Sequence, residues 1–171
     1  MIILPKKGFT LIELLVVMMI IGILAVIGIG SYMNSMARGR DAKRKGDLRQ
    51  IAQALNMYWA DKELYPASAT TIQPCFNSGT NCTDFIDTDH PTTIYMKLIP
   101  RDTGSRKYFY QTSTDRSQYK LWAQLEVTTD PDWLTTTSPN CTGFSFPTTQ
   151  CGGPCNFAIT SNNTSACSTM P

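Results

Sequence analysis

The chain has 171 residues with 16% charged, 11 Gly, 10 Pro and a formal net charge of +2. That length suits one domain and leaves no room for two large cores, and the composition excludes both a highly charged disordered tail and a collagen-like chain. A charge this small does not argue for nucleic acid as a primary partner, but its distribution along the chain is uneven.

From Phe9 to about Tyr32 the sequence FTLIELLVVMMIIGILAVIGIGSY carries Glu13 as its only charge. This run of roughly 24 residues exceeds the ~20 needed to cross a bilayer, so one membrane-spanning segment is expected over 9–32. Lys6, Lys7 and Gly8 precede it as a short basic head. The apolar run is well beyond the ~7 to 15 residues of a secretory signal core, and Ser35 to Ala37 imitates a signal-peptidase site only weakly.

No proline occurs between Pro5 and Pro66, and Leu48, Ile51, Ala52, Leu55 and Tyr58 recur at spacings of three and four. The helical period therefore continues through an amphipathic stretch, 33–65. From Phe9 to about Tyr65 one helix would be on the order of 85 Å long, so its first half is expected outside the globular body. Pro66 is the expected stop, because proline lacks an amide hydrogen and disfavours helix at the residue before it.

Beyond Pro66 the sequence turns to Thr, Ser, Asn, Pro and Cys, loop-rich through about Pro91 and again from about Asp130. Between these loops Tyr119, Leu121, Ala123, Leu125 and Val127 alternate with Lys120, Trp122, Gln124 and Glu126, the period of a half-buried strand. Tyr108 to Thr112 supplies an antiparallel partner across a polar hairpin at 113–117. A third strand comes from Gly143 to Phe146 or from Phe157 to Thr160. The helix face of Leu48, Ile51, Leu55 and Tyr58 is the nearest cover for the sheet. The expected fold class is α+β: a long N-terminal helix, a small antiparallel sheet and a loop-rich tail within 66–171.

All six cysteines, Cys75, Cys82, Cys141, Cys151, Cys155 and Cys167, follow the apolar segment. Thiols clustered in loops point to disulfides outside the cytoplasm, with Cys75–Cys82 the easiest loop to close and the other four holding the C-terminal loops. A zinc site at Cys151 and Cys155 is the rival, but His90 is the sole histidine and CxxxC spacing is a weak metal signal. Arg38, Arg40, Lys43, Arg44, Lys45 and Arg49 stand against Asp41 and Asp47 in a basic run. It reads as a solvated face, with lipid headgroups or an acidic patch on a neighbouring subunit as alternatives. Its side of the span opposes the positive-inside expectation, yet long C-terminal domains translocate largely regardless of flanking charge.

Glu13 lies in the apolar run, where an ionised carboxylate costs about 2.5 to 3.5 kcal/mol and needs a partner. No Lys or Arg lies between Phe9 and Ser31. Cleavage after Gly8 would provide one, an α-amino group on Phe9 one helical turn from Glu13. The alternative is a carboxylate snorkelling to the interface near Lys7.

The residues KKGFTLIELLVV from Lys6 to Val17 resemble the class III leader and common N-terminal start of type IV pilins and type II secretion pseudopilins. The resemblance covers about the first 35 residues and extends more loosely to 47–55 and 64–66; Cys141 to Pro171 has no counterpart in it. It implies removal of a leader, 1–8, by a prepilin peptidase between Gly8 and Phe9, and N-methylation of Phe9. It further implies that Glu13 neutralises the amino terminus of an adjacent subunit. Many members carry proline near position 30, where the helix loosens on assembly. Gly22, Gly28 and Gly30 stand here instead and permit either local melting or close packing of helices through small residues.

On this resemblance the chain is a structural subunit of a type IV pilus-like filament, with the major pseudopilin of a type II secretion system as the alternative. Its implied partners are copies of itself, the prepilin peptidase, the assembly machinery and the inner membrane. It would pass once through that membrane before assembly, then reside in a surface filament or periplasmic pseudopilus. A calcium loop, known in some pseudopilins, could draw on Asp84, Asp87, Asp89, Asp130 and Asp132, although EF-hand spacing is absent. A membrane-tethered binding domain is the reading from another class. No cofactor is expected, and no Gly-x-Ser-x-Gly, phosphate loop or HExxH supports an enzyme. Trp122 and Trp133 are expected to be half-buried packing residues. Asn81 and Asn140 begin glycosylation-like triplets of limited value in bacteria.

Overall fold

The computed structural model describes residues 8–67, 84–87, 89–161 and 164–170, without the side chains at positions 27, 28 and 31. Helix α1, Leu11–Lys62, is 52 residues long. The chain divides into two compact units at Gly39/Arg40.

In the first unit the described side chains from Leu11 to Val26 are apolar apart from Glu13 and lie exposed. Among the described residues no helix is long and apolar enough to cross a membrane.

In the second unit, Leu48, Ile51, Ala52, Leu55 and Tyr58 of α1 are all buried, as their spacing requires. They join one core with the inner face of a three-stranded antiparallel sheet. Its strands are β3 (Phe109–Thr112), β4 (Tyr119–Ala123) and β5 (Phe157–Thr160), with β4 in the centre. Tyr110 faces Leu121, which in turn faces Ile159. Two shorter strands, β1 (Phe85–Ile86) and β2 (Ile94–Met96), pair as a separate ribbon. Phe85, Tyr95 and Tyr58 meet with ring centroids 5.2 to 5.4 Å apart, which attaches this ribbon to the core. The helix, the hairpin and the Phe157–Thr160 choice for a third strand agree with the sequence reading.

Four expectations are corrected. The helix stops at Lys62, before Pro66, because Glu63 turns into the left-handed region at φ 57° while its N–H still bonds Trp59 O at 2.7 Å. The segment 85–96, read in part as loop, holds β1 and β2; strands of two and three residues are too short to alternate. Strand β4 ends at Ala123 rather than Val127 because side chains take over its backbone partners. Leu125 N–H donates to Asn156 Oδ1 at 2.6 Å, and Glu126 and Val127 donate to the Asp41 carboxylate at 2.9 to 3.0 Å. Nor is β4 half-buried: all five of its residues are buried. Its second face is covered by a tail cluster in which Trp122, fully buried, packs with Cys151, Cys155, Phe144 and Phe146. Trp133 is half-buried, as expected.

Candidate functional site

The start of α1 is built by Thr10 and Glu13 acting on each other. Thr10 donates to Glu13 Oε2 through its backbone N–H at 2.9 Å and its hydroxyl at 2.8 Å, and Glu13 N–H lies 3.3 Å from Thr10 Oγ1. This reciprocal pair is a capping box, which satisfies amide donors that the first turn would otherwise leave open. Its signature, Thr10-Leu-Ile-Glu13, was present in the sequence and unused there. Both bonds from Thr10 fall on Oε2, so among the described residues Oε1 accepts none. Phe9, Ile12, Val16 and Val17 present apolar surface beside exposed Glu13, and Phe9 is 80% exposed. A negative group at a helix start also complements the helix dipole.

Helix α1 runs unbroken through Gly22, Gly28 and Gly30. A Cβ added at Gly22 or Gly30 would meet nothing within 4 Å, so neither glycine is required by contacts within this chain.

The basic run does not form a simple solvated face. Arg38, Lys43 and Arg49 are exposed, but Arg44 is 2% exposed and at the centre of a carboxylate cluster. Its guanidinium reaches Asp102 at 2.6 Å, Asp41 at 2.7 Å and Glu126 at 2.8 Å. Arg40 holds Glu126 in a two-pronged pair at 2.6 and 2.9 Å. That bond from Arg40 is the largest influence bringing the Glu126 carboxyl down to about 2. Tyr108 OH donates to Asp47 at 2.7 Å in the same region. These contacts tie Arg40–Asp47 of α1 to the segments around Asp102, Tyr108 and Glu126. The charges serve the fold of the domain, a role that counting positive residues could not reveal.

The aspartates considered for calcium are spent on lysines, apart from exposed Asp84. Lys45 Nζ sits between Asp130 and Asp132 at 2.6 and 2.7 Å. Lys62 Nζ sits between Asp87 and Asp89 at 3.0 and 2.8 Å. Burial pushes the Asp87 carboxyl up, but bonds from the Asp89 backbone, Lys62 and His90 outweigh it and bring it to about 2. Among the described residues no group of three or more metal-binding side chains converges. His90 lies exposed beside Asp87 at 3.3 Å.

Disulfides join Cys141 to Cys167 and Cys151 to Cys155, both within the C-terminal loops as expected, which removes the zinc reading of Cys151 and Cys155. Cys75, Cys82 and Asn81 lie outside the described residues.

Comparison with known proteins supplies the context for this helix start. The prokaryotic N-terminal methylation motif matches residues 4–29, and the family described as type II secretion system (T2SS), protein G matches residues 31–125. The type II secretion system core protein G of Pseudomonas aeruginosa is 29% identical over 118 residues, covering 69% of this chain and 82% of its own. The Vibrio cholerae protein of the same name is 28% identical over 111 residues, covering 65% and 74%. The type IV major pilin protein PilA of Myxococcus xanthus is 38% identical over 67 residues, covering 39% and 30%. No solved structure matches the chain significantly.

Proposed function

We propose that this chain, which belongs to the type II secretion system protein G family, is the repeating subunit of a type II secretion pseudopilus. The broader class is plain: it is a pilin-like structural subunit of a filament. Before assembly the 9–32 segment stores the subunit in the inner membrane. A prepilin peptidase removes 1–8 between Gly8 and Phe9, the new Phe9 amine is methylated, and the subunits leave the bilayer to pack helix against helix. Apolar burial among neighbours then replaces lipid around Leu11 to Val26, at about 25 cal/mol per Å2 removed from water. Loss of Lys6 and Lys7 also brings the basic residues down to the 13 carboxylates, so long-range repulsion between subunits is small.

The observation that carries this reading is the division of labour at Glu13. One oxygen, Oε2, closes the capping box with Thr10, while Oε1 remains for a cation from outside the chain. In a filament that cation is the Phe9 amine of a neighbour. An unpaired carboxylate in an apolar filament core is costly, so the pair selects a single axial register. The unbroken helix through Gly22, Gly28 and Gly30 is the pre-assembly form, and those glycines are where it loosens on packing.

A type IV pilus exposed outside the cell is the second reading. It is favoured by the likeness to PilA and by a disulfide-bonded tail that the protein G family match, ending at residue 125, does not include. Shearing cells and probing the released material decides between them. Retention of the chain in the envelope supports the pseudopilus, whereas its recovery in long sheared filaments establishes the surface pilus.

A further inference from the structure

The strongest feature not used by filament assembly lies on the opposite face of the sheet from α1. An open cleft of about 520 Å3 is lined there by β3 and β4 on one side and by 144–150 and 168–170 on the other. The protein G family match ends at residue 125, so most of the lining belongs to a tail outside it. The wall is pre-organised. Disulfide Cys151–Cys155 closes its loop, Cys155 N–H donates to Pro147 O at 2.8 Å, and Gly152 N–H donates to Thr149 O at 3.1 Å. Lys107 N–H also donates to Cys151 O at 3.0 Å, fastening the loop to the domain.

Lys120 lines this cleft, although its side chain is almost wholly buried. Two of its ammonium hydrogens go to neutral carbonyls, those of Ala166 and Ser168. Among the described residues it has no carboxylate partner, and its third N–H has no acceptor. The ammonium also stands 5.1 Å from the centroid of Phe144 and 5.9 Å from that of Trp122. Every other buried or half-buried cation of the clusters described above, Arg44, Lys45 and Lys62, is neutralised by at least two carboxylates. Lys120 stands apart from them. Burial pushes its amine below the ordinary lysine value, as follows from an uncompensated charge. Behind the aromatic wall, fully buried Trp122 Nε1–H likewise lacks an acceptor among the described residues.

We propose that this cleft binds an acidic sugar, a hexuronate unit whose carboxylate pairs with Lys120. The lining fits such a ligand on three counts. Phe109, Phe144 and Phe146 offer ring surface for the C–H face of a pyranose. Gln111 and Gln150, both exposed at the rim, supply amide donors and acceptors for hydroxyls. The volume lies in the range of small-molecule sites. Lys120 is the only cation in the described lining, which matches one carboxylate and not the successive phosphates of a nucleic-acid strand. Free uronate and a unit of an acidic polysaccharide present the same chemistry to this site, and probes of different chain length distinguish them.

Titration calorimetry on the full chain in detergent micelles tests this with digalacturonate, its neutral counterpart galactobiose, polygalacturonate and adenosine monophosphate as probes. Digalacturonate is expected to bind at least about tenfold more tightly than galactobiose, as a charge-assisted bond requires. Lys120→Met should abolish that preference. Should that variant fail to fold, the double variant Gln111→Ala, Gln150→Ala alters only exposed rim residues and should weaken digalacturonate binding with an unchanged circular dichroism spectrum. Polygalacturonate binding more tightly per site than digalacturonate identifies the polymer as the source, and equal affinity identifies the free sugar. No digalacturonate binding at about 10 mM, equal binding of galactobiose, full affinity in either variant, or tighter binding of the monophosphate overturns the proposal.

Discussion

The two roles assigned to Glu13 separate cleanly in a pair of substitutions. Glu13→Gln keeps an acceptor oxygen at the third helical position, and Gln closes a capping box as Glu does. It removes the charge alone. Glu13→Ala removes both charge and cap. The capping share is about 0.5 to 2 kcal/mol, the usual cost of losing such a pair. The charge share is larger, because each neighbour's Phe9 amine would remain unpaired in an apolar core, at about 3 to 5 kcal/mol. At about 1.4 kcal/mol per tenfold, the charge term raises the subunit concentration needed for assembly by roughly two to three orders of magnitude. Filament yield is therefore expected to collapse in both variants while membrane insertion persists. Thr10→Ala, which breaks the cap but leaves the carboxylate, should lose about two- to thirtyfold on the same scale. The assay is quantitative immunoblotting of assembled and membrane fractions at matched expression. Wild-type assembly by Glu13→Gln alongside failure of Glu13→Ala would refute the reasoning, since the cap would then account for the whole effect.

Three further outcomes follow from the domain. Arg44→Met leaves Asp41, Asp102 and Glu126 without their shared cation, and should destabilise the chain by about 3 to 5 kcal/mol in urea unfolding; a loss under about 1 kcal/mol would contradict the cluster's role. Gly152→Ala should lower the melting temperature and cost upwards of about 2 kcal/mol, since the position has φ +79° and a Cβ would lie 2.1 Å from Ser105 O; unchanged melting would contradict that close approach. Glu126 is held down at about 2 from an ordinary 4.5, so its contribution is complete above pH 4.5 and is lost as pH falls towards about 2. This half-buried pair should account for about 1 to 2 kcal/mol of acid destabilisation, and Glu126→Gln should flatten that limb of the stability profile; an unchanged slope would contradict the assignment.

The long helix, its buried face and the central hairpin were legible because each repeats a period long enough to count. Leu48, Ile51, Ala52, Leu55 and Tyr58 are spaced for one face of a helix, and all five are buried. Strand β4 was legible as a strand but not as a fully buried one, because its second face is covered by a tail distant in sequence. Lys120 reads as an outward residue in the alternation and becomes buried for that reason alone. The premature helix stop rests on a single left-handed residue, Glu63, with no glycine to announce it. At the helix start, Glu13 stood out by its isolation in apolar sequence, whereas its partner Thr10 required the three-residue offset of the capping box. The Asp41–Arg44 cluster joins residues as far apart as Arg44 and Glu126, so no local pattern encodes it.

Assembly through the N-terminal helix is tested most directly by electron cryomicroscopy of the native filament at side-chain resolution. The map should show residues 9–32 packed as the central core, chains beginning at Phe9, and each Glu13 carboxylate at ion-pair distance from a neighbour's Phe9 amine. A core formed by the C-terminal domains, or Glu13 facing solvent without a cation, would contradict the account.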